Sequence, residues 1–257
     1  MLHPVSPFRT RYYFSSAFKM FGAYPLQYIG LMLIAVLSGV VFTAVPITSR
    51  VYSYLIVQPL ISGIYAFAFN QANGETPLFM DFFGAFNKKK YLQVVAISFL
   101  SAMIFMGFIA TAAYIVFSDD FNTVIHLREI LMDKSKQGPE EMQLLSNFIS
   151  DHVIDLITIM GLAILSFIPI YFISGYAGIS ILSTSKGLGE ALKDSIRVVR
   201  IIPFKILGFI LLSYVIIGIG FLLCGIGAVI AFPIVNIAFV NAFIDLQSIS
   251  SHESKTL

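Results

Sequence analysis

The stretch ILGFILLSYVIIGIGFLLCGIGAVIAFPIVNIAFVNAFI, residues 206–244, runs for 39 residues between Lys205 and Asp245 without a charge. As one helix it would be about 58 Å long, nearly twice a hydrocarbon core of about 30 Å. Gly218, Gly220, Gly225 and Gly227 fall near its middle, and Pro233 follows. Glycine and proline punctuate helices, so the stretch reads as two spans joined by a tight apolar turn near Cys224–Gly227.

Four more uncharged stretches extend the pattern: 20–49, 51–74, 91–118 and 156–185. Each is long enough for one span, since roughly 20 helical residues cross the hydrocarbon. The five stretches hold 151 of the 257 residues. Only 12% of the chain is charged, 58% is hydrophobic, and the mean hydropathy is +0.87. A water-soluble fold of this length cannot hide so much apolar surface. The apolar runs are continuous, as in Leu31–Leu37, and do not alternate as barrel strands do. The fold class expected is all-α: a polytopic transmembrane bundle of about six spans, forming one integral membrane domain over 1–257. Soluble enzymes, disordered chains and disulfide scaffolds are excluded, the last because Cys224 is the only cysteine.

Basic residues set the expected orientation. Counting segments on alternate sides of six spans places twelve Lys and Arg on the side of the termini and four on the other. The positive-inside rule puts the N- and C-termini in the cytoplasm. The loop 118–152 is then external, and it carries seven acids against three bases. Within it, Phe121, Val124, Ile125, Arg128 and Leu131 suggest one short helix. Pro139-Glu140-Glu141 opens a second, because proline suits the first helical position and acids suit a helix N-terminus.

Three segments on the basic side look like amphipathic helices leading into spans. In 188–202, Leu188, Leu192, Ile196, Val199 and Ile202 recur at helical spacing, with Glu190, Lys193, Asp194, Arg197 and Arg200 opposite. In 76–88, Thr76 is a candidate N-cap with Pro77 after it. Leu78, Phe79, Phe82, Phe83 and Phe86 form its apolar face, and Lys88, Lys89 and Lys90 follow. In 8–21, Phe14, Phe18 and Phe21 oppose Arg11 and Lys19. Basic amphipathic helices of this kind lie in the headgroup plane. The candidate contacts with anionic lipid are therefore Lys19, Lys88, Lys89, Lys90, Lys193, Arg197 and Arg200, each worth about 1 kcal/mol near the surface.

The lead-ins also repeat. Ala17-Phe18-Lys19, Pro25-Leu26 and Gly30-Leu31 match Ser195-Ile196-Arg197, Pro203-Phe204 and Gly208-Phe209 at a constant offset of 178. The following spans match at offset 174, Pro59-Leu60 with Pro233-Ile234. A third copy pairs Ser62-Gly63, Gly74 and Asp81-Phe82-Phe83 with Ser174-Gly175, Gly187 and Asp194-Ser195-Ile196. The expected building block is a helix hairpin opened by an interfacial helix.

No catalytic constellation emerges. The spans hold no histidine and no paired aspartate, and Gly178-Ile179-Ser180 has no intramembrane base beside it. None of the four histidines forms a metal-binding spacing, and no phosphate loop or nucleic-acid motif is present. No cofactor, metal or nucleic-acid partner is expected. The polar residues Gln58, Gln93, Asn236 and Asn241 are candidate intramembrane contacts, as interhelical hydrogen-bond donors or as the lining of a pathway. Gln58 stands beside Pro59, and Asn236 follows Pro233; a proline frees a carbonyl one turn back that an amide could take. Gly161, Gly175, Gly178, Gly218 and Gly225 are expected to allow close helix packing.

Two segments, Pro59-Leu-Ile-Ser-Gly63 through Gly74-Glu75 to Asp81-Phe-Phe-Gly-Ala-Phe86, and Ala191-Leu-Lys-Asp-Ser195 through Arg197, Pro203 and Gly208 to Pro233, carry a resemblance. They resemble the bacterial YciC-like six-span proteins and the membrane domain attached to some glycerophosphodiester phosphodiesterases. The resemblance implies a six-span fold in the bacterial cytoplasmic membrane. The phosphodiesterase catalytic domain has no counterpart in this chain, so its activity does not carry over. The expected function is a non-enzymatic scaffold, or a bundle associated with membrane lipids or another membrane protein. The alternative is a permease or transporter subunit for an apolar or neutral solute.

Overall fold

The computed structural model describes residues 8–43, 53–118, 123, 126, 138–184, 186–223 and 226–253. The first external helix expected around Phe121–Leu131, and Cys224 with Gly225 in the apolar turn, lie outside the described residues, apart from two isolated positions.

Among the described residues the fold is all helical. The helices are α1 (Thr10–Ala23), α2 (Pro25–Thr43), α3 (Gln58–Ala72, entered by a π-helical turn over Ser53–Val57) and α4 (Lys88–Val116). After them come α5 (Pro139–Asp151), α6 (Val153–Ser183), α7 (Leu188–Ile201), α8 (Pro203–Leu222) and α9 (Ile226–Glu253). A 3₁₀ helix, Phe79–Phe86, lies between α3 and α4. Among the described residues, five helices are long and apolar enough to cross a membrane: α3 with its π turn, α4, α6, α8 and α9. The bent pair α1–α2 makes a sixth candidate. This is a multi-pass membrane bundle.

The long uncharged stretch divides as its glycines and proline suggest. α8 ends at Leu222 and α9 starts at Ile226. Gly220 and Gly227 meet across this turn: a Cβ on Gly227 would stand 2.6 Å from the Gly220 carbonyl oxygen. The glycines named from sequence divide differently. Gly175 lies against Phe239 and Gly178 against Tyr65, whereas Gly161 and Gly218 have nothing within 4 Å of a Cβ and make no close approach. The tightest approach is at Gly63, where a Cβ would meet the Phe82 carbonyl oxygen at 1.8 Å. In lipid, helices gain little from hiding apolar groups from each other, so close backbone contact carries much of the association.

The contacts divide the chain into two compact units, one of Met1–Ser101 with Tyr171–Leu257 and one of Ala102–Ile170. In the first, Phe67 stacks on Phe82 at 4.1 Å, and Tyr28 meets both edge-on. Phe172, Tyr176, Phe209, Phe239 and Phe243 form a second aromatic core there. In the second unit, α5 begins with Pro139 at its first turn and Glu140 and Glu141 beside it, as expected. Phe117, Phe148 and His152 cluster with ring centroids 4.4 to 5.5 Å apart.

The segment 76–88 starts later than expected. The helix there is 3₁₀ and begins at Phe79; Thr76 does not cap it. Instead the Asp81 carboxylate accepts the Leu78 N–H at 2.8 Å. Phe79, Phe82 and Ala85 are three apart, and a 3₁₀ helix stacks residues at that spacing on one side. Phe82 and Ala85 are fully buried, while Leu78 and Met80 point outward. Upstream, α3 ends where Gly74 takes φ +79, a left-handed turn open to glycine, and Glu75 N–H closes on the Asn70 carbonyl.

The repeat at offset 178 is visible in three dimensions. α1 stops at Tyr24 (φ −137°, ψ 50°) and α7 stops at Ile202 (φ −132°, ψ 50°), each directly before a proline that opens a span. The α1–α2 bend is 92°. Tyr13, Ala17, Tyr28, Leu31, Met32 and Ala35 are buried, and so are Ala191, Ser195, Ile206, Phe209, Ile210 and Ser213, each 178 positions on. Leu26 and Phe204, the residues after each proline, are 80% and 85% exposed. At offset 174, Pro59–Tyr65 and Pro233–Phe239 both run buried nearly throughout.

Candidate lipid-contact site

α7 is a 14-residue helix with Glu190 in its first turn and Arg200 in its last, both favourable for the helix dipole. Its inward face is made of small side chains, Ala191, Ser195 and Val198. The Ser195 Oγ donates to the Ala191 carbonyl at 2.7 Å, so that face needs no external polar partner. The large aliphatic residues of the sequence stripe do not form this inward face. Ile196 is 41% exposed, and Leu188, Leu192 and Val199 are only half-buried. Small residues let a helix approach closely, and in a bilayer a stripe of Leu and Ile finds an apolar environment in lipid itself.

Lys193, Arg197 and Arg200 are spaced four and three apart, so they form one stripe on α7. Lys193 and Arg200 are exposed, and Arg197 is half-buried. They line an open groove with Leu192, Ile196 and Ile201, and Gly189 leaves its far end without a side chain. No carboxylate lines this groove among the described residues. The nearest acid on the helix, Asp194, is bound to Lys186 at 2.6 Å.

The other candidate cations fall into different settings. Lys19 is exposed on α1, and Lys88 and Lys89 are exposed at the start of α4. Lys90 is not available to lipid in the same way: its Nζ donates to the Leu182 carbonyl at 2.8 Å, at the C-terminal end of α6. A cation there satisfies an orphan carbonyl and the negative end of the helix dipole.

The four intramembrane polar residues are not assembled into one site. Gln58 and Gln93 are half-buried on α3 and α4. Asn241 Nδ2 donates to the Tyr13 carbonyl at 3.4 Å, an interhelical contact. Asn236 is 1% exposed, and its Nδ2 donates to the Phe232 carbonyl at 2.7 Å. The carbonyl freed by Pro233 belongs to Val229, four residues back, so Asn236 does not take it. Among the described residues, Asn236 Oδ1 is buried without a hydrogen-bond partner. No hydrogen bond joins any two of the four.

Sequence reading missed the polar clasp that holds α1. The Tyr13 hydroxyl donates to Asp245 Oδ2 on α9 at 2.9 Å. Burial pushes that hydroxyl up to about 12, and the Asp245 carboxylate adds to the shift. At the other end of α1, Gln71 Nε2 donates to the Met20 carbonyl and Gln71 Oε1 accepts from the Tyr28 hydroxyl, both at 2.9 Å. The signal was present: Gln71 and Asp245 are 174 positions apart, the same place in the two repeated spans.

Comparison of the chain with protein-family models, curated proteins and solved structures gives no match.

Proposed function

We propose that this chain is a non-enzymatic, lipid-associated bundle of the bacterial cytoplasmic membrane, with both termini in the cytoplasm and α7 lying against anionic headgroups. The observation that carries this reading is the outward stripe of Lys193, Arg197 and Arg200 on a helix whose exposed isoleucines, Ile196 and Ile201, share the groove. Cations above and aliphatic side chains beside them match the layered chemistry of a headgroup region. The proline break after α7 and the protruding Phe204 beyond it fit a helix that runs along the surface before the chain turns in. The YciC-like resemblance belongs to the same reading.

Two experiments test it. Pull-down of the full chain from native membranes with lipids retained, followed by mass spectrometry, should recover anionic lipid above its bulk fraction; recovery at the bulk fraction would contradict the reading. Reporter fusions after Lys90 and Gly187 should lie in the cytoplasm and one at Gln137 outside; the reverse pattern would refute the orientation.

A permease for a neutral solute is the second reading, favoured by one atom, the buried and unpartnered Asn236 Oδ1. It requires a solute that raises the thermal midpoint of the wild type and loses that effect in Asn236→Leu. Absence of any such solute from a screen of small neutral compounds leaves the lipid reading in place.

A further inference from the structure

Three cations crowd into two turns of α7, about 10 Å of helix, with no carboxylate in their groove. Like charges at this spacing repel and destabilise an isolated helix. Of the two acids on α7, Asp194 is bound to Lys186, and Glu190, one turn before Lys193, stands outside the groove lining. α1 shows no such concentration: Arg11 and Lys19 are two turns apart, and Arg9 lies over the Tyr12 ring at 4.8 Å. The start of α4 loses Lys90 to the Leu182 carbonyl.

We infer that the α7 groove is a site for one membrane lipid whose headgroup carries at least two negative charges, held by Lys193, Arg197 and Arg200 with its chains against Ile196 and Ile201. This rests on the lipid-associated reading above and goes further, from general attraction to a stoichiometric site. A singly charged headgroup can neutralise one of the three cations. A headgroup with two phosphates spans the stripe, and the two guanidinium groups match phosphate oxygens in a two-pronged geometry. The occupant is a lipid rather than a free anion because Leu192, Ile196 and Ile201 make up the rest of the lining, and a free anion gains nothing from them.

The test uses the full chain in nanodiscs of neutral phosphatidylcholine doped with phosphatidylglycerol or with cardiolipin at half the mole fraction, so that total charge is equal. Lipid retained per protein is read by native mass spectrometry. Wild type should retain one cardiolipin with ~10-fold preference over phosphatidylglycerol. K193Q/R197Q/R200Q should abolish the preference, and R11Q/K19Q/K88Q, which removes as many charges elsewhere, should keep it. Wild-type retention that follows total charge alone would overturn the site and leave the general reading standing. Retention of neither anionic lipid would overturn both. Pyrophosphate added to the discs should leave the lipid bound; complete displacement would overturn its assignment as a lipid site.

Discussion

α1–α2 and α7–α8 share a break, a proline and a buried face at one offset, yet they are held in different ways. α1 is clasped from both ends, by Asp245 on Tyr13 and by Gln71 on the Met20 carbonyl. Its Phe14 stacks on Phe209 at 5.3 Å. α7 packs through three small residues, and among the described residues its one side-chain bond beyond itself is to Lys186, just upstream. The 3₁₀ helix sides with α1, since Phe82 is locked onto Gly63. The difference separates two jobs within one design. Lead-ins tied to the core by buried bonds act as elbows, and the lead-in left untied keeps its cations for the surroundings.

The largest effect expected on this contrast is at a tied lead-in. Gly63→Ala places a methyl 1.8 Å from the Phe82 carbonyl oxygen, so the backbone of the 3₁₀ helix has to move. The loss should be about 3 kcal/mol, read from unfolding in detergent. Gly30→Ala, whose nearest neighbour would be 3.9 Å away, should change stability by less than about 1 kcal/mol. A neutral Gly63→Ala would break the claim that this lead-in is locked.

Next comes the clasp. Tyr13→Phe removes a hydrogen bond to a carboxylate and should cost about 2 kcal/mol. On α7 the matching test is K193Q/R197Q/R200Q, which should shift stability by no more than about 0.5 kcal/mol because these side chains hold nothing in place. The same variant should lose on the order of 3 kcal/mol of attraction to anionic vesicles, about 1 kcal/mol for each base. If it unfolds the protein while Tyr13→Phe does not, the assignment of roles is inverted.

A separate effect is confined to alkali. Burial, with the Asp245 carboxylate beside it, pushes the Tyr13 hydroxyl from its ordinary 10.0 up to about 12, so the folded state favours its neutral form. Its stabilising contribution is complete below pH 10 and falls as pH rises towards 12. Tyr13→Phe should remove this slope in a pH series of unfolding midpoints; an identical slope in the variant would show that another group causes it.

Much of the fold was legible because lipid imposes a simple rule, that charge-free stretches of sufficient length become helices. The division of 206–244, the opening of α5 at Pro139 and the breaks before Pro25 and Pro203 all followed from glycine, proline and charge. Which face of α7 turns inward was not legible, because in a membrane Leu192 and Ile196 can satisfy themselves against lipid as well as against protein. Register across helices was also hidden. Gly63 reads like any other glycine until Phe82 is placed beside it, and Lys90 reads like Lys88 until α6 ends at its side chain. Of the candidate site, the stripe Lys193–Arg197–Arg200 was readable from spacing alone; that no carboxylate among the described residues lines its groove needed the structure.

The most direct test of the account is the depth of α7. With Cys224 replaced by serine, a single spin label at Ile196 or at Phe204 can be compared in vesicles for collision with oxygen and with a water-soluble nickel chelate. The account expects oxygen to dominate at both positions, with the label at 204 deeper than the label at 196. Collision governed by the nickel chelate at both positions would place this helix in water and contradict it.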